Sequence, residues 1–130
     1  MGAASQRKRL RKGLKRFHSR EGDAAKMSQR LIQVAQPYLN CGDDVDEYRK
    51  EISLASSAWN LSLMPPDLRE ENMMKSLREI EGVDRQLIAE HLRELVRRKE
   101  RLFPGDRRLI TNVDVLDEGA SVRVLVMSEI

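Results

Sequence analysis

The sequence predicts an α+β fold: a small bundle of about four short helices, then a C-terminal antiparallel β-hairpin, all preceded by a basic N-terminal arm. Three observations carry this. Between residues 23 and 103 apolar side chains recur at helical spacing, interrupted at Pro37, at Pro65–Pro66 and at Gly82. Beyond Pro104–Gly105 the apolar spacing switches to alternation. Finally, of 24 Lys and Arg and 21 Asp and Glu, eight basic residues and no acid fall in residues 1–20. The remaining 16 basic and 21 acidic residues leave the body at −5, so the formal net charge of +3 is a basic arm joined to a mildly acidic domain. The expected organisation is an arm over 1–20 and one domain over 21–130, because about 110 residues bury a single core.

In the arm, Leu10, Leu14 and Phe17 fall at i, i+4 and i+7, a short basic amphipathic pattern weakened by Gly13. Like-charge repulsion and the cost of nucleation predict disorder in isolation and helix on binding. The first helix is expected over 23–39, capped by Asp23, with Met27, Leu31, Val34, Ala35 and Tyr38 on one stripe and Pro37 kinking or ending it. Asn40–Asp43 reads as a loop. The second helix spans 45–63: Asp44 and Glu47 form a capping box, and Val45, Tyr48, Ile52, Ala55 and Trp59 line one face. The third spans 67–81, with Asp67 and Glu70 as a second capping box, a stripe of Met73, Met74, Leu77 and Ile80, and Gly82 as a left-handed cap. The fourth spans 84–103. Asp84 caps it, and Leu87, Ile88, His91, Leu92, Leu95, Val96, Leu102 and Phe103 recur at helical spacing.

In the hairpin, Leu109, Thr111, Val113 and Val115 alternate with Ile110, Asn112 and Asp114. After the loop at Asp117–Glu118–Gly119, Val122, Val124 and Val126 alternate with Arg123, Leu125 and Met127. Two strands alone are marginal, so one face must pack on the helices or extend a partner's sheet. Its edge makes a homodimer through strand addition an expectation.

The longest apolar run, Val124–Met127, is four residues, whereas a membrane-spanning helix needs about 20. Cys41 is the only cysteine, which excludes an internal disulfide and suits a reducing, cytosolic setting. No phosphate loop, dinucleotide fingerprint, paired-histidine zinc motif or nucleophile elbow occurs, so no catalytic residues, metal or cofactor are expected. The acidic run Asp43, Asp44, Asp46 and Glu47 lacks the central glycine and twelfth-position glutamate of a calcium loop and reads as helix capping. His91, within an apolar stripe and one turn before Glu94, reads as a satisfied, half-buried histidine.

The main functional signal is basic. Arg7, Lys8, Arg9, Arg11, Lys12, Lys15, Arg16 and Arg20 could neutralise nucleic-acid phosphates and release counterions. A second cluster, Arg97, Arg98, Lys99, Arg101, Arg107 and Arg108, could continue that surface, or could simply complement the helix dipole. The reading is a non-enzymatic protein whose arm binds RNA, DNA or an acidic partner. The alternative is a protein-interaction or regulatory module with the arm on a protein or an anionic membrane surface. Trp59 and Asn60, in the string Trp59–Met64, read as a packing anchor or the edge of a pocket. The turn Phe103–Arg108 is the other local landmark.

Overall fold

Two helix starts follow from short acidic side chains placed before amphipathic runs. Asp44 accepts from the backbone amides of Asp46 and Glu47, at 3.0 and 3.1 Å, and Asp84 does the same for Gln86 and Leu87, at 3.0 and 3.2 Å. The computed structural model describes residues 23–39, 44–80, 84–119 and 121–129. In it lie α1 (Asp23–Ala35), a 3-10 turn (Gln36–Tyr38), α2 (Val45–Ser62), α3 (Pro66–Leu77), α4 (Arg85–Leu102), β1 (Leu109–Asp117) and β2 (Val122–Glu129). This is the α+β class the sequence predicts, with no helix among the described residues long and apolar enough to cross a membrane. The arm, the Asp23 side chain, the loop with Cys41, and Gly82 lie outside the described residues.

Two boundaries differ from expectation. α1 gives way to a 3-10 turn at Gln36, because Pro37 has no amide hydrogen to continue the α pattern. α3 begins at Pro66 and ends at Leu77, four residues earlier than its periodicity suggests. Its N-cap is Pro65, with no side-chain cap, so the Asp67/Glu70 capping box does not form. Proline in the first helical turn supplies the start instead, since its fixed φ suits the helix and its missing donor costs nothing there. Ile80 consequently lies outside the helix and is exposed, as is Met74.

α2 is the central element. It packs against α1, α3, α4 and β1, while β2 lies over α1. Met27, Leu31 and Val34 of α1, Ile52, Ala55 and Trp59 of α2, and Leu95 of α4 are fully buried. Ala55 and Ala58, both at zero exposure, let the neighbouring backbones come close. Each buried Leu or Ile removes enough apolar surface to stabilise the fold by about 1.5–3 kcal/mol. Leu87 and Leu102, assigned to the apolar stripe of the fourth helix, are exposed at its two ends.

The hairpin pairs Val113 with Val126, Val115 with Val124 and Asp117 with Val122. Thr111 is an extra residue between the Ile110–Ser128 and Asn112–Met127 pairs, a β-bulge. The bulge shifts the side-chain phase by one. Ile110 is therefore buried on the same face as Val115, and Leu109 is exposed, so simple alternation along β1 fails at this point. Val122, Val124 and Val126 are all buried, as their alternation predicts. At the hairpin tip Gly119 has φ +79°, a conformation that strains any side chain, and its amide donates to Asp117 Oδ1 at 3.0 Å.

Candidate functional site

Among the described residues a dense set of polar contacts gathers at the junction of α4 and β1. Asp106 is buried in the turn between them. Its Oδ2 accepts from Arg30 Nη1 at 2.8 Å and Arg108 Nη2 at 2.6 Å, and its Oδ1 accepts from Arg108 Nε at 3.0 Å and the Arg108 amide at 3.2 Å. Burial alone would raise the carboxyl, but the Arg108 and Arg30 hydrogen bonds outweigh it and hold Asp106 at about 2. The backbone carbonyl of Asp106 accepts from Lys99 Nζ at 2.7 Å. Lys99 is only 3% exposed, and its ammonium lies 5.0 Å from the centre of the Trp59 ring. Burial lowers the Lys99 pKa, and the charge of Asp106 offsets part of that.

α2 ties the same junction from the other side. Trp59 Nε1 donates to the Arg108 carbonyl at 2.7 Å. Asn60 donates through Nδ2 to the Ile110 carbonyl and accepts through Oδ1 from the Ile110 amide, both at 2.9 Å. A side-chain amide thus acts as a one-residue strand along the outer edge of β1. Arg49 Nη2 reaches the Val115 carbonyl on the same edge at 3.1 Å. Of the residues read from sequence, Trp59 and Asn60 are accordingly anchors of packing and strand position.

The second basic cluster divides in two. Arg98 turns inward and donates to the Val34 and Gln33 carbonyls, at 2.8 and 2.9 Å, so it satisfies the C-terminal end of α1. Lys99 and Arg108 belong to the Asp106 junction. Arg97 pairs with Glu94 at 2.8 Å on the surface. Arg101 and Arg107 are exposed and make no ion pair among the described residues. The eight arm residues Arg7, Lys8, Arg9, Arg11, Lys12, Lys15, Arg16 and Arg20 lie outside the described residues.

Two anchoring arginines, one in the junction and one at the end of α2, escape a sequence reading. Nothing in the spacing of Arg30 links it to Asp106, which lies 76 positions away. The only signal is the Phe103–Arg108 string itself, with its acid flanked by arginines. Arg69 is similar: it donates to the carbonyls of Ser62 and Met64 at the end of α2, at 2.9 and 3.0 Å, and pairs with Glu100.

His91 is half-buried, as its apolar stripe predicts, but its partner is Glu51 on α2, with Nε2 to Oε2 at 2.8 Å. Tyr38 packs edge-on at 4.2 Å between ring centres. Glu94 is engaged by Arg97 instead. Among the described residues no three His, Cys, Asp or Glu side chains come together where a metal could sit. No protein-family model matches this chain, and neither a curated protein nor a solved structure matches it.

Around the junction lies an open depression of about 580 Å³, lined by Arg30, Phe103, Gly105, Asp106, Arg107 and Arg108 with Leu102 at its edge. The Arg30 guanidinium stands 5.0 Å from the Phe103 ring centre. The depression thus places arginine side chains and the Asp106 carboxylate beside an aromatic ring.

Proposed function

We propose that the protein is a non-enzymatic nucleic-acid-binding protein that grips the phosphate backbone, with the arm supplying most of the charge and the α4–β1 turn extending it. The observation that carries this reading is the direction of α1. Arg98 of α4 reaches Gln33 and Val34 of α1, while Asp106, beyond the end of α4, reaches Arg30. The two helices therefore run antiparallel. Asp23 is seven residues before Arg30, about 10 Å further along that axis. α1 accordingly begins at the end that carries the exposed Arg101 and Arg107, and the arm precedes it in the sequence.

The test is anisotropy titration of a labelled 12-nucleotide single-stranded RNA against the full chain, repeated across salt concentrations. If most arm cations meet phosphates, log K against log salt has a slope of about −4 to −6. Replacing all eight arm cations with Gln should remove most of that slope. Unchanged affinity in that variant refutes the reading.

A second reading, a protein-interaction module, rests on the outer hairpin face, where Leu116 and Met127 are 37% and 63% exposed beside Leu125. It predicts a defined complex that survives neutralisation of the arm. A homodimer by strand addition would use β2, because side chains of α2 occupy backbone groups on the outer edge of β1. The arm's Leu10, Leu14 and Phe17 suit an anionic membrane surface as well, and binding to anionic vesicles that Phe17→Ala weakens would favour that use.

A further inference from the structure

We infer that the depression at the α4–β1 turn seats one phosphate group of the bound nucleic-acid strand, with Arg107 and Arg30 on its flanks and Lys99 and Arg108 supplying positive field from its inner side. The inference rests on the nucleic-acid reading above and adds a particular contact on the folded body.

The argument begins with charge. Among the described residues, Arg30, Lys99, Arg107 and Arg108 gather around a single carboxylate, Asp106. The nearest other acid on α4, Glu100, is paired with Arg69. Among the described residues, the hydrogen bonds that the Asp106 carboxylate accepts come from Arg30 and Arg108, and Lys99 donates to its backbone carbonyl. Among the described residues the cluster thus carries more positive than negative charge, and its inner members Lys99 and Asp106 are buried, where Coulomb interactions are stronger than on an open surface. An anion in the depression relieves the mutual repulsion.

Donor geometry agrees. Arg30 donates a single hydrogen bond among the described residues, is 41% exposed at its side chain and lines the depression. Arg107 is exposed beside it with no partner among the described residues. Planar guanidinium forks match phosphate oxygens in pairs. Gly105 completes the wall. A Cβ built there meets no atom within 4 Å, so its smallness is not required for packing inside the protein. It leaves bare backbone at the rim of the depression.

Phosphate is favoured over a protein carboxylate because of what adjoins the site. α1 begins at this end of the body and the arm precedes it in the sequence, so a polyanion with regularly spaced charges can meet cations of both arm and depression. A lone carboxylate meets only one of them.

The experiment uses the full chain and the same labelled 12-nucleotide RNA. Arg107→Gln should weaken binding five- to tenfold at low salt and reduce the magnitude of the salt slope by about 0.7, the value for one single-strand phosphate contact. Gly105→Leu should weaken binding similarly by filling the depression. Arg93→Gln, which breaks only the surface pair with Glu70, should bind within twofold of the parent. Trp59 fluorescence checks that each variant keeps the junction folded. If Arg107→Gln and Gly105→Leu both bind within twofold of the parent while the arm-neutralised chain does not bind, the phosphate seat is overturned and the nucleic-acid reading stands. If the parent chain shows no salt-dependent binding, both fall.

Discussion

Replacing Asp106 with Asn removes the one acid that the described residues place in the α4–β1 junction, with almost no change in shape. Its cost can be worked from the carboxyl's own titration. Asp106 ionises at about 2 in the folded chain against an ordinary value of 3.8. Since one pH unit of displacement corresponds to about 1.4 kcal/mol, the ionised carboxylate stabilises the fold by about 2 kcal/mol at neutral pH. The side chain is 4% exposed, so little of this is screened by solvent. An Asn amide also turns donors toward Arg30 or Arg108, which brings the expected loss to about 2–3 kcal/mol. The sign of the pH dependence follows from the depressed value. The stabilisation is fully present above pH 3.8 and is lost as pH falls through about 2. Urea unfolding followed by the fluorescence of Trp59, the only tryptophan and part of this junction, is the assay. At neutral pH the midpoint should fall by about 1–2 M, and the gap between parent and variant should narrow as pH drops from 5 toward 2. A loss under about 0.5 kcal/mol at pH 7, or a gap that does not change with pH, would refute the electrostatic account of the junction.

Three further predictions concern the contacts around that junction. Asn60→Asp keeps the acceptor for the Ile110 amide but sets a carboxylate oxygen against the Ile110 carbonyl; it should cost about 2–4 kcal/mol and raise amide exchange along β1, measured by hydrogen–deuterium exchange. Trp59→Phe leaves the Arg108 carbonyl without its indole donor and opens space beside Lys99, so a loss of about 2–3 kcal/mol is expected in thermal or far-UV circular-dichroism denaturation. Arg98→Met keeps the aliphatic stem but frees the carbonyls of Gln33 and Val34, and should cost about 1–2 kcal/mol, with fraying confined to the end of α1 in exchange data.

Much of the fold is legible in the sequence for local reasons. Asp44 and Asp84 sit where a short acceptor meets the first free amides, and both cap as expected. The stripes Met27–Leu31–Val34 and Ile52–Ala55–Trp59 are buried because a period of 3.6 puts them on one face. The valines of β2 obey a period of two for the same reason. Where the reading of β1 fails, one inserted residue is responsible. Thr111 bulges out of the ladder and reverses which of its neighbours face inward. A bulge is set by pairing with the opposite strand and by the hold Asn60 exerts on Ile110, and neither is visible in nine residues of β1 taken alone.

Charge divides in the same way. The amino-acid order alone determines that the cations are segregated, with an acid-free first twenty residues and a basic run from Arg97 to Arg108. Only the tertiary structure decides what each cation does. Lys99, Arg98 and Arg108 look alike as entries in a basic run, yet one is buried against Trp59, one terminates α1 and one holds Asp106, while Arg101 and Arg107 face outward. The reason is physical: helix periodicity fixes which way a side chain points, but its partner is whatever the packing of other elements brings there. Arg30 meets Asp106 only because α1 and α4 run antiparallel, and that packing is a property of the whole core rather than of either segment.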